Sequence, residues 1–224
     1  MHRRLNSYSA IALYIIVAAA SVLVSAQTKP QLSQTDSVIV AIQSHYSRIN
    51  GLAADFEQIY SLPGQSPRRE TGRLFLARPR LMRWEYDSNK LFVVNDREVW
   101  WYVPADREAT HADVRSVNDS RLPFLFLLGK PDFQRNFTGI ELATRDNQEV
   151  GQQTLRLLPK RRDTGIKEIL LTCDSNGAIS HVRLTEESGG ISQIFLRNVR
   201  ENFHSPAAAF TFVPPPGVTI RKHG

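Results

Sequence analysis

Apolar and polar positions follow three rhythms along this chain, and each rhythm predicts a different element. Ala10 to Val24 is almost wholly apolar. Further on, Val38, Ile42, Tyr46 and Ile49 recur at spacings of four, four and three, which places them on one face of a helix. Ser33 or Thr35 suits the N-cap. Asn50-Gly51 suits the end, because glycine accepts the left-handed conformation that often terminates helices.

After Gly51 the period falls to two. Strands are predicted over Ala54–Ser61, Glu70–Ala77, Leu81–Tyr86, Leu91–Asn95 and Glu98–Val103, with Pro63–Pro67 as a loop. Asp87-Ser88-Asn89 and Asn95-Asp96 are turn formers between them. Leu122-Pro123-Phe124-Leu125-Phe126-Leu127-Leu128-Gly129 breaks the alternation with a run that is apolar on all sides. Pro123 fits a helix start and Gly129 a helix end. Such a helix must be buried, or must cover something apolar. A second strand set follows over Gly139–Thr144, Gln153–Leu158, Ile166–Cys173, Ala178–Glu186, Ile191–Val199 and Phe210–Phe212. Asp174-Ser175-Asn176-Gly177 and Ser188-Gly189-Gly190 are hairpin signals. Short connections joining about eleven short strands point to an antiparallel meander, not a parallel α/β sheet.

A single sheet of that size must curl as strand twist accumulates. Its concave face needs filling, and the two helices are the available fillers. Side-chain parity then assigns faces. Leu81, Arg83 and Glu85 take the wet side, so Met82, Trp84 and Tyr86 point inward. Arg73 is wet in the preceding strand, so Leu74 and Leu76 point inward too. Arg78 continues the row of Leu74 and Leu76, just before Pro79. It is either a surface residue flanking a turn or an interior charge at the rim. An interior guanidinium requires acceptors. The last carbonyls of a helix are unsatisfied and lie at the negative end of its dipole. In the interior reading, Arg78 would latch the end of the Leu122–Leu128 helix; in the other it is a surface arginine beside a turn.

Charge and composition narrow the setting. His2, Arg3 and Arg4 precede the apolar run Ala10–Val24, and Val24-Ser25-Ala26 supplies small residues for cleavage. This is the layout of a secretory signal peptide, 1–26. Its removal leaves 198 of the 224 residues, 27–224, a length suited to one domain. Without Arg3 and Arg4 the 28 basic residues become 26 against 22 acidic ones, a net charge of +4. Those charges are scattered, which argues for a solvated surface and against nucleic-acid binding. Cys173 is the only cysteine, so no disulfide forms within the chain, and its apolar surroundings predict a buried, inert thiol. There is no G-x-S-x-G, H-E-x-x-H, G-x-G-x-x-G or Walker motif. His45, His111, His181, His204 and His223 lack metal-ligand spacing. The expectation is a non-enzymatic protein without metal or cofactor, whose investment is a large apolar concavity.

Several segments, in order, resemble the periplasmic outer-membrane lipoprotein carrier family, the LolA type. They are Ala54-Asp55-Phe56-Glu57-Gln58, Gly72-Arg73-Leu74-Phe75-Leu76-Ala77-Arg78-Pro79, Arg83-Trp84-Glu85-Tyr86, Val99-Trp100-Trp101-Tyr102, Pro123-Phe124, Phe210-Thr211-Phe212-Val213-Pro214-Pro215 and Gly217-Val218. The resemblance implies a mainly β fold: one strongly curved antiparallel sheet forming an unclosed barrel, with a helical lid over an apolar cavity. It implies a monomeric periplasmic carrier. Such a carrier accepts acylated lipoproteins from an inner-membrane ABC exporter and hands them to an outer-membrane receptor. It also implies that Arg78 bonds the lid helix, that Trp84 lines the cavity and that Phe124 belongs to the lid. With parity, the expected acyl-chain site is Leu74, Leu76, Met82, Trp84, Tyr86 and Phe124, and the lid adds Leu125, Phe126, Leu127 and Leu128. Met82 stands where the family often has phenylalanine, and Asp96-Arg97 replaces its usual Asp-Gly turn. A carrier of another envelope lipid, and a non-catalytic module that senses lipoproteins, are the rival readings.

Overall fold

The computed structural model describes residues 32–115, 132–144, 149–160 and 165–223. The leader, the run Leu122–Gly129 and the predicted lid residues Phe124, Leu125, Phe126, Leu127 and Leu128 lie outside the described residues.

The chain enters through helix α1 (Gln34–Ser47). Ser33 caps it, its hydroxyl accepting from the Asp36 N–H at 3.1 Å. Asp36 in the first turn complements the helix dipole. Val38, Ile39, Ile42 and Tyr46 form its buried face. The exit differs from the expectation of a left-handed glycine. Arg48 and Ile49 donate back to the carbonyls of His45 and Tyr46, at 3.3 Å each, which closes the helix with a tighter turn. Gly51 has no positive φ. Its side-chain-free face serves another purpose, since a Cβ there would lie 2.4 Å from the Phe203 carbonyl oxygen.

Among the described residues, twelve strands make one sheet: β1 (Gly51–Ser61), β2 (Arg68–Ala77), β3 (Leu81–Tyr86), β4 (Leu91–Val94), β5 (Glu98–Val103), β6 (Glu108–Asp113), β7 (Phe137–Ala143), β8 (Gln153–Pro159), β9 (Ile166–Cys173), β10 (Ile179–Glu186), β11 (Ile191–Glu201) and β12 (Thr219–His223). A single turn of helix, α2 (Phe133–Asn136), precedes β7. The spatial order is β12-β6-β5-β4-β3-β2-β1-β11-β10-β9-β8-β7. Two meanders thus meet where β1 pairs with β11, and the sheet ends at β12 and β7 without closing into a barrel.

Turn chemistry follows the sequence closely. The Asp174 carboxylate accepts from Asn176 N–H at 2.8 Å and Ala178 N–H at 2.9 Å, shaping the β9–β10 hairpin. Gly177 in that hairpin has φ +86°, and a Cβ there would meet the Ala41 carbonyl carbon of α1 at 2.4 Å. Glycine is needed on both counts. The β4–β5 turn manages without one. Asn95 Oδ1 accepts from Arg97 N–H at 3.0 Å and Glu98 N–H at 2.9 Å, an Asx turn that fixes the geometry at Asp96-Arg97.

The C-terminal reading needs correction. Phe210–Phe212 is not a strand; Ala207–Phe210 forms a 3-10 turn and buries Phe210. Three consecutive prolines, Pro214–Pro216, remove the backbone donors a strand requires. Gly217, at φ 75°, then turns the chain into β12, which pairs parallel with β6. Among the described residues this is the one parallel pairing in the sheet; every other neighbouring pair is antiparallel.

Candidate functional site

Alternation places one continuous apolar surface on the inward side of β1–β5. In β3, Met82, Trp84 and Tyr86 are 0, 0 and 4 % exposed, while Leu81, Arg83 and Glu85 between them remain partly exposed. Leu74 and Leu76 of β2 lie beside them, paired in register with Trp84 and Met82. All five residues sit in one core with Val38, Ile39, Ile42 and Tyr46 of α1. The helix shares that core while its nearest backbone neighbours are β7 and β8, with Gly177 of the β9–β10 hairpin against Ala41. Removing the apolar surface of any one of these side chains from water contributes about 1.5–3 kcal/mol.

The middle of the face is aromatic. Phe56 of β1 meets Trp84 edge to face at 4.6 Å between ring centroids and Tyr86 at 5.0 Å. Tyr86 in turn meets Trp101 of β5 at 5.6 Å, and Trp101 meets Phe92 of β4 at 6.1 Å. Phe56, Phe92 and Trp101 complete a box that sequence reasoning had only half assembled. The signal was present: Phe56 shares parity with Ala54, and Trp101 with Val99. Trp100, of opposite parity, stacks on His111 at 4.2 Å instead.

Arg78 stands just past the end of β2, at the rim of this surface. Its Nε donates to the Ile49 carbonyl at 2.8 Å and its Nη2 to the Tyr46 carbonyl at 2.7 Å. Both acceptors belong to the C-terminal end of α1. Its backbone N–H donates to the Asn50 carbonyl at 2.9 Å, so main chain and side chain grip the same joint. The chemistry is that of a guanidinium bonded to helix-end carbonyls, and the helix so held is α1. The predicted contact with the Leu122–Leu128 run falls outside the described residues.

Two further ties hold that end of α1. The Tyr46 hydroxyl accepts from the Ile179 N–H at 3.2 Å, and burial pushes its pKa up. His45 Nε2 lies 2.8 Å from a Glu201 carboxylate oxygen of β11. Cys173 is close by, paired with Ile179 in the sheet and fully buried. Burial, and secondarily the Asp174 charge, push its thiol up to about 12. A thiol so placed is not a nucleophile at neutral pH.

At the opposite end of β2 the inward positions turn polar. Lys90 pairs with Glu70, and its ammonium lies 5.1 Å from the centre of the Tyr86 ring and 5.8 Å from that of Trp101. The Tyr86 hydroxyl donates to Gln58 Oε1 at 2.9 Å, and Gln58 Nε2 donates to Ser192 Oγ at 3.1 Å. Tyr60 reaches Glu186 at 3.4 Å, and burial followed by that carboxylate raises its pKa. Among the described residues no cluster of three His, Cys, Asp or Glu side chains could hold a metal ion. No helix among them is long and apolar enough to cross a membrane.

Comparison with known proteins assigns this unclosed sheet and its apolar inner face to a family. The profile described as "Outer membrane lipoprotein carrier protein LolA" matches residues 47–213. The chain belongs to the LolA family. An outer-membrane lipoprotein carrier protein of Pectobacterium atrosepticum is 28% identical over 182 residues, covering 80% of this chain and 85% of that protein. One of Methylococcus capsulatus is likewise 28% identical over 182 residues, with the same coverage. One of Chromobacterium violaceum is 26% identical over 185 residues, covering 82% and 87%. Among solved structures, an uncharacterized conserved protein from Thermus thermophilus superposes with a TM-score of 0.53 at 10% identity. The match covers 85% of this chain and 100% of that one. That likeness concerns the fold. In this LolA-family chain, the arginine of the Arg78-Pro79 pair grips the end of α1.

Proposed function

We propose that this protein is a periplasmic carrier that takes up the acyl chains of lipoproteins released from the inner membrane. It crosses the periplasm as a monomer and delivers them to an outer-membrane receptor. Residues 1–26 direct export and are removed, and 27–224 form the carrier domain. The exporter that loads it is an inner-membrane ABC transporter. No covalent step is required of any residue.

The observation that carries this reading is the inward face itself. Leu74, Leu76, Met82, Trp84 and Tyr86 make a buried apolar surface that shares one core with α1, and Arg78 fastens that helix at its end. Each acyl methylene moved from water onto such a surface contributes about 0.8 kcal/mol. A carrier must also let go, which needs two states of differing affinity. Displacing α1, together with the Phe124–Leu128 segment as the rest of a lid, uncovers the face for loading. Re-forming the Arg78 bonds to Tyr46 and Ile49 favours the covered state and release. Met82, where the family often carries phenylalanine, gives the wall a flexible side chain that adapts to irregular chains.

Native mass spectrometry of the protein taken from its own periplasm tests this directly. Acylated protein bound one to one is the expected finding. Free lipids recovered in every preparation, never an acylated polypeptide, would overturn it. Depletion provides the second arm, with lipoproteins accumulating at the inner membrane.

A further inference from the structure

The apolar face of β2 has two ends, and a ligand with fatty chains and a polar head must place its head at one of them. At the Arg78 end, the guanidinium is taken up by the Tyr46 and Ile49 carbonyls at the end of α1, at 2.7 and 2.8 Å. At the other end, six polar side chains occupy inward positions: Gln58 and Tyr60 of β1, Glu70 of β2, Lys90 before β4, Glu186 of β10 and Ser192 of β11. Polar groups on the inward side of a sheet are costly unless paired. These are paired chiefly with one another, through Tyr86–Gln58 at 2.9 Å, Gln58–Ser192 at 3.1 Å, Tyr60–Glu186 at 3.4 Å and Lys90–Glu70.

We propose that Lys90, with Gln58, Glu70 and Ser192 around it, receives the ester and amide carbonyls where the fatty chains of a ligand join its head. Three features support the assignment. Lys90 lies against Tyr86 and Trp101, the outermost rings of the aromatic box, so its ammonium marks the boundary between apolar wall and water. Solvent still reaches the site, the side chains of Lys90 and Glu70 being 22 and 34 % exposed. The distance also suits the ligand. Glu70 and Ala77 are seven residues apart on one strand, about 23 Å, the length of an extended fatty chain laid along the face once α1 is displaced. An ammonium has three donors and rotates freely, so it can exchange a carboxylate for a carbonyl without moving the backbone. Glu70 holds Lys90 in place when the carrier is empty and competes with the ligand for it.

This inference rests on the carrier reading above, and the shared chemistry belongs equally to a lipoprotein's acylated cysteine and to a glycerophospholipid. The experiment measures binding of three probes to the intact mature chain. They are a synthetic S-diacylglyceryl-cysteine peptide, monomeric dioctanoyl phosphatidylglycerol, and the headless fluorophore N-phenyl-1-naphthylamine. Lys90→Met keeps the aliphatic stem on the two rings. It should weaken the lipopeptide about tenfold and leave the headless probe unchanged. Lys90→Arg should restore most of the loss. Glu70→Gln should tighten lipopeptide binding about threefold by releasing the ammonium. A merely structural ion pair would give losses of the same sign for both residues, and for all three probes. That result overturns the proposal, as does a lipopeptide affinity equal in wild type and Lys90→Met. If wild type binds phosphatidylglycerol in a Lys90-dependent way and ignores the lipopeptide, the head-group site stands and the lipoprotein reading falls.

Discussion

Arg78 stands at one end of the inward row of β2, Glu70 with Lys90 across from it at the other, and the two ends engage their cations with different kinds of partner. Arg78 is bonded to main-chain carbonyls, Tyr46 and Ile49, which belong to the end of α1. Lys90 is paired with a side chain and laid on two rings. A carbonyl at a helix end cannot leave its donor unless the helix moves. A carboxylate can leave by rotating. The arginine therefore reads the position of a secondary-structure element, and the lysine reads what occupies the groove. Between them lies the aromatic box, whose Tyr86 and Trp101 rings meet Lys90, and it should be the most sensitive part of the molecule.

Trp84→Ala should give the largest effect. The side chain is fully buried and in contact with Phe56, so its loss opens a cavity and costs about 3–5 kcal/mol. Urea unfolding should show a lower midpoint with unchanged slope. A change of under about 1 kcal/mol would mean the face is loosely filled, and the contrast between a rigid middle and two working ends would fail. Arg78→Leu comes next. It removes the donors at 2.8 and 2.7 Å and should cost about 2 kcal/mol, leaving the chain folded. The last turn of α1 should exchange its amide hydrogens faster while the β3–β4 hairpin that carries Lys90 keeps its protection. Equal loss of protection at both ends would erase the distinction drawn between them. Transfer of lipopeptide to an acceptor membrane should slow as well, and wild-type transfer kinetics would remove Arg78 from the release step.

Which parts of this were legible in the sequence follows from the amplitude of each pattern. The inward set Leu74, Leu76, Met82, Trp84 and Tyr86 was readable because charged residues alternate with apolar ones, and the proline after Arg78 did not upset the parity of the row. The helix was readable from four apolar positions and a serine cap. The strand β6 was not, since Glu-Ala-Thr-His-Ala-Asp sets alanines against polar residues and gives little contrast. Nor was β12, an edge strand of Thr-Ile-Arg-Lys-His held by backbone pairing and by the Arg221–Glu108 pair. For Arg78, sequence supplied the class of acceptor, helix-end carbonyls, but parity carries no information about which helix end lies nearby. The polar end was missed for a related reason. Glu70 and Gln58 continue inward rows, yet a charge near a strand terminus reads as surface until the pairing partner is known.

The smallest effect expected is electrostatic and probes the Arg78 end without touching the arginine. Cys173 and Tyr46 are both buried there, and both have pKa values raised by loss of solvation, the thiol from 9.0 to about 12. An acid raised on folding is held neutral by the native state. Its contribution is complete below the unfolded pKa and is lost as pH climbs through the folded one. Stability should therefore be flat from pH 7 to about 9 and fall above it, each such group contributing a slope of up to about 1.4 kcal/mol per pH unit. Cys173→Ala should flatten that slope by one group while lowering stability slightly at pH 7, since only a small side chain is truncated. Urea midpoints for both proteins between pH 7 and 11 supply the measurement. Parallel curves would show that the thiol already ionises freely in the folded chain. The β10 side of the α1 joint would then be open to water, and Arg78 would carry more of the firmness at that end.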